Sequence, residues 1–382
     1  MTWLAPPAWG HSGGSYDSYP AARRCGSAAT AGSAGQLAPR QAVASDHILM
    51  GAPLLVLSGA DVHALLSYSE CAAAMRGALT ALASGRAQQP LRTIVTPDGA
   101  AGLMALMPSY LAGERAGDAA YGLKAICVTP ANPAAGLDTH QGVVLLSAGA
   151  TGEPLAMLNA SAVTEIRTAA VSVVATDLLA RAEADQLAVI GTGVQARAHI
   201  RALDAARELS QIRVAGRDPA RAEQFAASFA GQTNVPVKAC ASAREAAAGA
   251  DIIVTATSSD QPVLERDWIA PGTHINAVGA CLPHQRELDT ATVAAAVLFA
   301  DRRDSLLAES GDYVLAAADG AATPDQIRAE LGELLLGTAT GRESADEITI
   351  FESLGLAIED LAAARRVYEL AAEAGAGTRI DF

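Results

Sequence analysis

The stretch Leu187 to His199, L-A-V-I-G-T-G-V-Q-A-R-A-H, carries the clearest chemistry in the chain. Its apolar run Leu187-Ala188-Val189-Ile190 reads as a buried parallel strand. The run enters Gly191-Thr192-Gly193 and passes through Val194-Gln195-Ala196 into a helical pattern extending through Leu203 and Leu209. A strand, a tight glycine turn and a helix N-terminus together receive a dinucleotide pyrophosphate. Gly191 permits the turn, Gly193 lets the backbone approach the phosphates, and small Ala196 lets helix and strand pack closely. Alone, G-x-G-x-x-A is a weak motif; the flanking strand and helix give it weight.

Cofactor choice is argued at the end of the next strand. An NAD site places Asp or Glu about 20 residues past the first glycine, on the ribose 2′-hydroxyl. Here the strand ends in Gly216-Arg217-Asp218-Pro219. Gly216 stands where the acid is expected, and Arg217 suits a 2′-phosphate, so NADP(H) is favoured and NAD(H) comes second. Asp218 has two readings: a ribose ligand after a small shift, or an N-cap before Pro219 at the first helical position. Thr255-Ala256-Thr257 ends a later strand where loops face the same cleft, and its small side chains fit that task.

The elements that must position these residues follow from pattern. At 382 residues the chain suggests about two domains, and it is 51% hydrophobic but only 4% aromatic, so Ala, Val and Leu supply the packing. With 27 basic against 41 acidic residues, no basic face is expected, which argues against a nucleic-acid partner. Five cysteines, an odd number without C-x-x-C spacing, fit free thiols in a reducing, cytoplasmic setting. The scattered histidines give no metal site, and nothing reaches the ~18 consecutive apolar residues of a membrane span.

Residues 1–49, rich in Gly, Ser, Ala and Pro, read as a disordered extension, with a translation start at Met50 as one hypothesis. Arg23-Arg24 is followed by no apolar region, so no signal peptide is expected. Asp61 to Ala83 reads as helical with a break near Ser67. Short strand-like runs follow at 92–96, 103–107, 122–128 and 143–146, and a long helix at 161–181 connects the domains. Strands then alternate with helices, as in a Rossmann-type doubly wound parallel sheet. The expected fold is α/β, with residues 50–170 and 340–382 forming a β-rich substrate and dimerisation domain and 171–339 the dinucleotide domain.

Several stretches carry a resemblance: Q-P-L-R-T at 89–93, G-L-K-A at 122–125, G-L-D-T-H-Q-G-V-V-L-L at 136–146 and I-R-T-A-A at 166–170. The glycine turn, N-A-V-G-A at 276–280 and L-G-L-A-I-E-D-L-A-A-A at 354–364 complete it. In these the chain resembles the ornithine cyclodeaminase / mu-crystallin family from about Val56 onward. The resemblance implies an NAD(P)-dependent homodimer acting on α-amino acids or related cyclic imines. It assigns Arg92, Lys124 and Arg167 to a clamp for the substrate carboxylate, and it adds Thr168, Val278 and Gly279 to the cofactor contacts.

Each clamp cation sits among apolar or small residues, and guanidinium forks fix a carboxylate in two-pronged fashion. The alternative is pairing with a structural acid or facing solvent. Lys124, desolvated near other cations, gains an acid/base role. His140 has two readings, structural or catalytic. Leu103, Met104 and Met107 are candidates for side-chain specificity. In cyclodeaminases the loop after N-A-V-G-A carries an aspartate; here Cys281 stands there, at the substrate site, and a thiol cannot replace a carboxylate. The reading is hydride transfer between NADP(H) and the Cα of an imino acid, preferably pyrroline- or piperideine-2-carboxylate, then an open-chain one. The alternatives are an NAD-using cyclodeaminase and a non-enzymatic NADP-linked binding protein.

Overall fold

The computed structural model describes residues 53–113 and 117–381. The N-terminal extension and the Met50 start lie outside the described residues. Two eight-stranded sheets carry the rest. The first contains β1 (Leu54–Leu57), β2 (Ala87–Gln88), β3 (Thr93–Val95), β4 (Leu103–Leu111), β5 (Ala120–Val128), β6 (His140–Ala148) and β7 (Pro154–Asn159). The last strand, β16 (Thr378–Ile380), pairs with β1 at its edge. Strands β4 to β7 form an antiparallel meander, and β1 joins β7 in parallel.

Period-two alternation sets the faces of this sheet. Ala105, Met107, Gly122, Lys124 and Ile126 are buried, whereas Met104 and Tyr121 are exposed. Met104, a specificity candidate from the sequence, is thereby corrected: its parity turns it away from Leu103 and Met107. The C-terminal helix Ala357–Ala374 packs on β4, β5 and β6. Gly122 allows its close approach, since a Cβ there would sit 2.9 Å from Leu361.

The second sheet contains β8 (Gln186–Ile190), β9 (Gln211–Ala215), β10 (Val237–Ala239), β11 (Ile252–Thr255), β12 (His274–Ala277), β13 (Val297–Ala300), β14 (Ile327–Glu330) and β15 (Thr349–Glu352). Its order is β10-β9-β8-β11-β12-β15-β13-β14, with every pairing parallel. Covered on both faces, β8, β11 and β12 read as short continuous buried runs. The direction of winding reverses between β8 and β11, which opens a crevice at their carboxyl ends. The boundary expected at residue 340 needs correction, because β15 lies between β12 and β13 in this sheet. Its Thr-Ile-Phe-Glu run follows a polar loop and lies inside the 340–382 segment expected in the other domain.

The long helix spans Ala160–Leu179 and is capped by Asn159, whose side chain accepts from the Ala162 N–H at 2.9 Å. It is buried along most of its length, as an all-round apolar helix must be. It packs on β6 and on the helices Tyr68–Ala83 and Val194–Ala206, so a domain boundary at 170 would cut through its middle. His199 ties the last contact: its ring hydrogen-bonds with Gln195 O at 2.7 Å and Ser172 Oγ at 2.9 Å. The break near Ser67 is a second helix start, where Ser67 and Glu70 close a capping box.

Gly191 has a φ of +133°, and a Cβ there would collide with the Ala256 carbonyl oxygen. Gly191→Ala is therefore expected to destabilise the protein by ~1–3 kcal/mol. Chemical unfolding checks this; an unchanged midpoint would refute the requirement.

Candidate active site

A cavity of about 410 Å³ lies between the sheets. One wall comes from β4 and β5, where alternation lines up Leu103, Ala105 and Met107 with Lys124, Ile126 and Val128. The long helix contributes Thr164, Arg167 and Thr168, which share a face by their i, i+3, i+4 spacing. The carboxyl ends of β11 and β12 contribute Ala256, Thr257, Val278, Gly279 and Cys281. All three expected clamp cations, Arg92, Lys124 and Arg167, line this cavity.

Each cation is paired with an acid. Lys124 Nζ lies 2.6 Å from Asp360 Oδ2, and the two side chains are 2% and 1% exposed. Arg167 donates through Nε to Asp360 Oδ1 at 3.1 Å and through Nη1 to Glu359 Oε2 at 2.8 Å. Arg92 Nη2 meets Glu309 Oε2 at 2.9 Å and donates to the Leu354 carbonyl at 2.6 Å. Donors remain beyond these bonds, because an ammonium carries three N–H groups and a guanidinium five. Glu359 and Asp360 lie within the L-G-L-A-I-E-D-L-A-A-A stretch, where the sequence alone assigns them no role. Their signal was two consecutive acids in an Ala/Leu helix, at its amino-terminal turn.

Burial lowers the Lys124 pKa from the usual lysine range to about 8; Asp360 opposes that shift, and Arg167 and Arg92 reinforce it. Burial also disfavours the Arg167 charge, but Asp360 and Glu359 outweigh it and raise its pKa. His140, half-buried in the cavity wall, is lowered to about 4 by burial and by Lys124 and Arg167, so its ring is neutral near pH 7. Cys281 is raised to about 11 by burial, against the pull of Arg92 and Arg167. Its thiol points to the Val278 carbonyl at 3.2 Å.

The turn Ser353-Leu354-Gly355 stands between the arginines. Asp301, fully buried, accepts the Leu354 and Gly355 N–H groups at 2.9 and 2.7 Å. Gly355 has a φ of +78°, and a Cβ there would press on the Arg167 guanidinium at 2.6 Å.

The expected dinucleotide residues divide into two groups. Thr168, Gln195, Ala256, Thr257, Val278 and Gly279 line the cavity. Gly191 and Gly193 form the turn at the end of β8, with Ala196 buried behind it and Val194 exposed on the helix. Thr255 is buried as the last residue of β11. Arg217 is exposed. Asp218 is an N-cap, its carboxylate accepting from Ala220 N at 3.0 Å and Arg221 N at 3.4 Å. Of its two readings, the structure gives the cap.

These residues fit a dinucleotide. The buried Thr164 Oγ1, Thr168 Oγ1 and Gln195 Oε1 have no hydrogen-bond partner among the described residues. Buried polar atoms of this kind call for a polar ligand. Gly279 lets the two loops approach closely, because a Cβ there would strike the Thr257 carbonyl. Among the described residues, no group of three His, Cys, Asp or Glu side chains could hold a metal, and no helix is long and apolar enough to cross a membrane.

Comparison with known proteins places this architecture. A mouse protein named ketimine reductase mu-crystallin is 38% identical over 285 residues, 75% of this chain and 86% of that protein. The structure of Thermococcus litoralis Δ1-pyrroline-2-carboxylate reductase with NADH and L-proline superposes with a TM-score of 0.82 and 38% identity, covering 86% of this chain and 100% of that one. An archaeal alanine dehydrogenase dimer with bound NAD gives 0.80 and 32%, covering 86% and 99%. The ornithine cyclodeaminase/mu-crystallin family model matches residues 54–375, and the chain belongs to that family.

Proposed function

We propose that this protein is an NAD(P)H-dependent oxidoreductase that reduces the C=N bond of a cyclic ketimine acid such as pyrroline- or piperideine-2-carboxylate. The observation that carries this reading is a buried, partly neutralised ammonium, Lys124, facing the same cavity as two arginines and the loops at the sheet's switch point. The names of its relatives, ketimine reductase and pyrroline-2-carboxylate reductase, agree with it.

Arg92 and Arg167 bind the substrate carboxylate with the donors left over from Glu309, Glu359 and Asp360. That contact fixes the adjacent C=N group in space. A reduced nicotinamide, when bound, supplies the hydride for the C=N carbon. Lys124 gives the proton to the nitrogen, and Asp360 holds Nζ in place and keeps it charged against the cost of burial. The aliphatic wall of Ile94, Leu103, Met107, Ile126 and Val128 excludes water and suits the ring methylenes.

The cyclodeaminase reading loses support at Cys281, which stays a thiol. The two acids that raise its pKa through their charge, Glu287 and Asp301, are committed elsewhere and accept backbone N–H groups. A homodimer, as in the archaeal relative, belongs to the same proposal, with exposed Val95, Met104 and Tyr121 on the outward side of the first sheet. NADP(H) is the preferred cofactor. A Cβ at Gly216 would meet Thr192 Cγ2 at 2.9 Å, so an acid there requires Thr192 to move, while Arg217 is exposed beside it.

The direct test follows NADPH and NADH absorbance with pyrroline-2-carboxylate, piperideine-2-carboxylate and pyruvate plus ammonia. Consumption with a cyclic imine is expected; ammonia release from ornithine with NAD, and no imine reduction, would establish the lyase instead. Dinucleotide binding without any turnover would favour the binding-protein reading. In the pH profile, kcat for reduction should fall as pH rises through about 8, where Lys124 loses its proton. Because Asp360 raises that pKa, Asp360→Asn should move the fall to lower pH, and Lys124→Met should cut kcat by ~10²–10⁴. A profile flat from pH 6 to 10 would remove Lys124 from the proton transfer. Arg217→Ala should raise the KM for NADPH about tenfold, equivalent to ~1.5 kcal/mol, and leave NADH within twofold. An unchanged NADPH/NADH ratio would remove Arg217 from the cofactor site.

A further inference from the structure

Glu287 lies outside the cation cluster, and it is fully buried. Its Oε1 accepts the Thr257 N–H at 2.6 Å, and its Oε2 accepts the Gly279 N–H at 2.7 Å. Those two residues follow β11 and β12, neighbouring strands whose register ends with Thr255 opposite Ala277. One further ladder bond, Val278 N–H to Thr255 O at 2.9 Å, closes the pairing. Thr257 and Gly279 share no backbone hydrogen bond of their own, and the Glu287 carboxylate bridges them; farther along the same loops, the Arg286 N–H donates to the Ser259 carbonyl at 2.9 Å. Both loops line the cavity on the side of the glycine turn.

The carboxylate is itself anchored. The Glu287 carbonyl accepts from the Val263 and Leu264 N–H groups at 2.7 and 3.0 Å. Asp312 Oδ1 in turn accepts the Glu287 and Leu288 N–H groups at 2.7 and 2.8 Å. Gly279 completes the fit, since a Cβ there would lie 2.6 Å from the Glu287 carboxyl. The bridge is hydrogen-bonded at both ends.

We infer that Glu287 is a positioning residue that sets the spacing of the Thr257 and Gly279 loops and thereby the affinity for the nicotinamide dinucleotide. This rests on the dinucleotide reading of the proposed function. Only a carboxylate offers two acceptor oxygens in this place. Glutamine keeps the size but turns an N–H₂ group towards one of the loop N–H groups.

The test is NADH titration by fluorescence on the full chain, beside amide hydrogen exchange of the cofactor-free protein. Glu287→Gln should raise the NADH dissociation constant roughly tenfold. It should speed exchange at Thr257 and Gly279, and leave the KM for pyrroline-2-carboxylate at saturating NADH within twofold. Asp312→Asn removes a buried acid from the same segment but keeps the Oδ1 acceptor for the Glu287 and Leu288 N–H groups and touches neither loop N–H, so it should keep near-wild-type NADH affinity. Glu287→Asp, one methylene short, should weaken NADH binding less than glutamine does, and it serves alone if the glutamine variant does not fold. Wild-type NADH affinity in the Glu287 variants would overturn the inference, as would an equal loss in Asp312→Asn. A wild-type protein that binds neither NADH nor NADPH would overturn the proposed function and this inference together.

Discussion

The buried ion cluster of Lys124, Arg167, Asp360 and Glu359 is the constraint around which the rest is arranged. Four ionisable groups are withdrawn from water where β5, the long helix and the C-terminal helix meet. Removing one member of such a cluster strands the others and costs about 3–5 kcal/mol. Helix 357–374 must therefore lie where Asp360 reaches both cations, and Gly122 and Gly355 supply the clearance. The cluster joins β5 to the two helices and leaves cationic donors facing the cavity, their charges supported against desolvation by Asp360 and Glu359.

A second use of buried acids appears at the carboxyl ends of the parallel strands. Loops there leave the sheet, and their N–H groups lose ladder partners. Each buried N–H still needs an acceptor. Asp301 serves the turn at Leu354-Gly355, Glu287 the loops at Thr257 and Gly279, and Asp312 the segment carrying Glu287. Burial drives Asp301 to about 8 with help from Glu359, and Asp312 to about 7 with help from Glu287. The acids at this end of the sheet are thus scaffold, so an acid near the cavity is not by itself a catalytic one.

The glycine turn and the alternating strands were legible in the sequence because their causes are local. Gly191 needs a positive φ, β4 and β5 need period-two alternation, and Ser67 caps the chain it precedes. What was not legible depends on distant pairing. Lys124 and Asp360 are separated by 236 positions (360 − 124), and no spacing announces that they touch. The β15 run was lost because its place, between β12 and β13, is decided by the sheet and not by its neighbours in the chain. Met104 failed as a specificity candidate for the opposite reason: the strand was recognised, but its inward parity was not applied. Asp218 shows a local rule deciding correctly, since Pro219 after it favours the cap and the hydrogen bonds are those of a cap.

The placement of acids also bears on which chemistry the site can perform. Eliminating ammonia and closing a ring calls for an acceptor near the substrate's distal nitrogen. Among the described residues no acid lines this cavity, and the acids behind its wall are occupied: Asp360 and Glu359 are engaged by Arg167, Glu309 by Arg92, and Glu287 by two loop N–H groups. Cys281, raised to about 11, accepts poorly and donates to a carbonyl instead. Neutral His140 offers a hydrogen bond but, at about 4, does not hold a proton near pH 7. What remains is a cationic site with one titratable ammonium near neutrality. Such a site suits a carboxylate and the transfer of one proton, which is what the proposed addition of hydride to a ketimine acid requires.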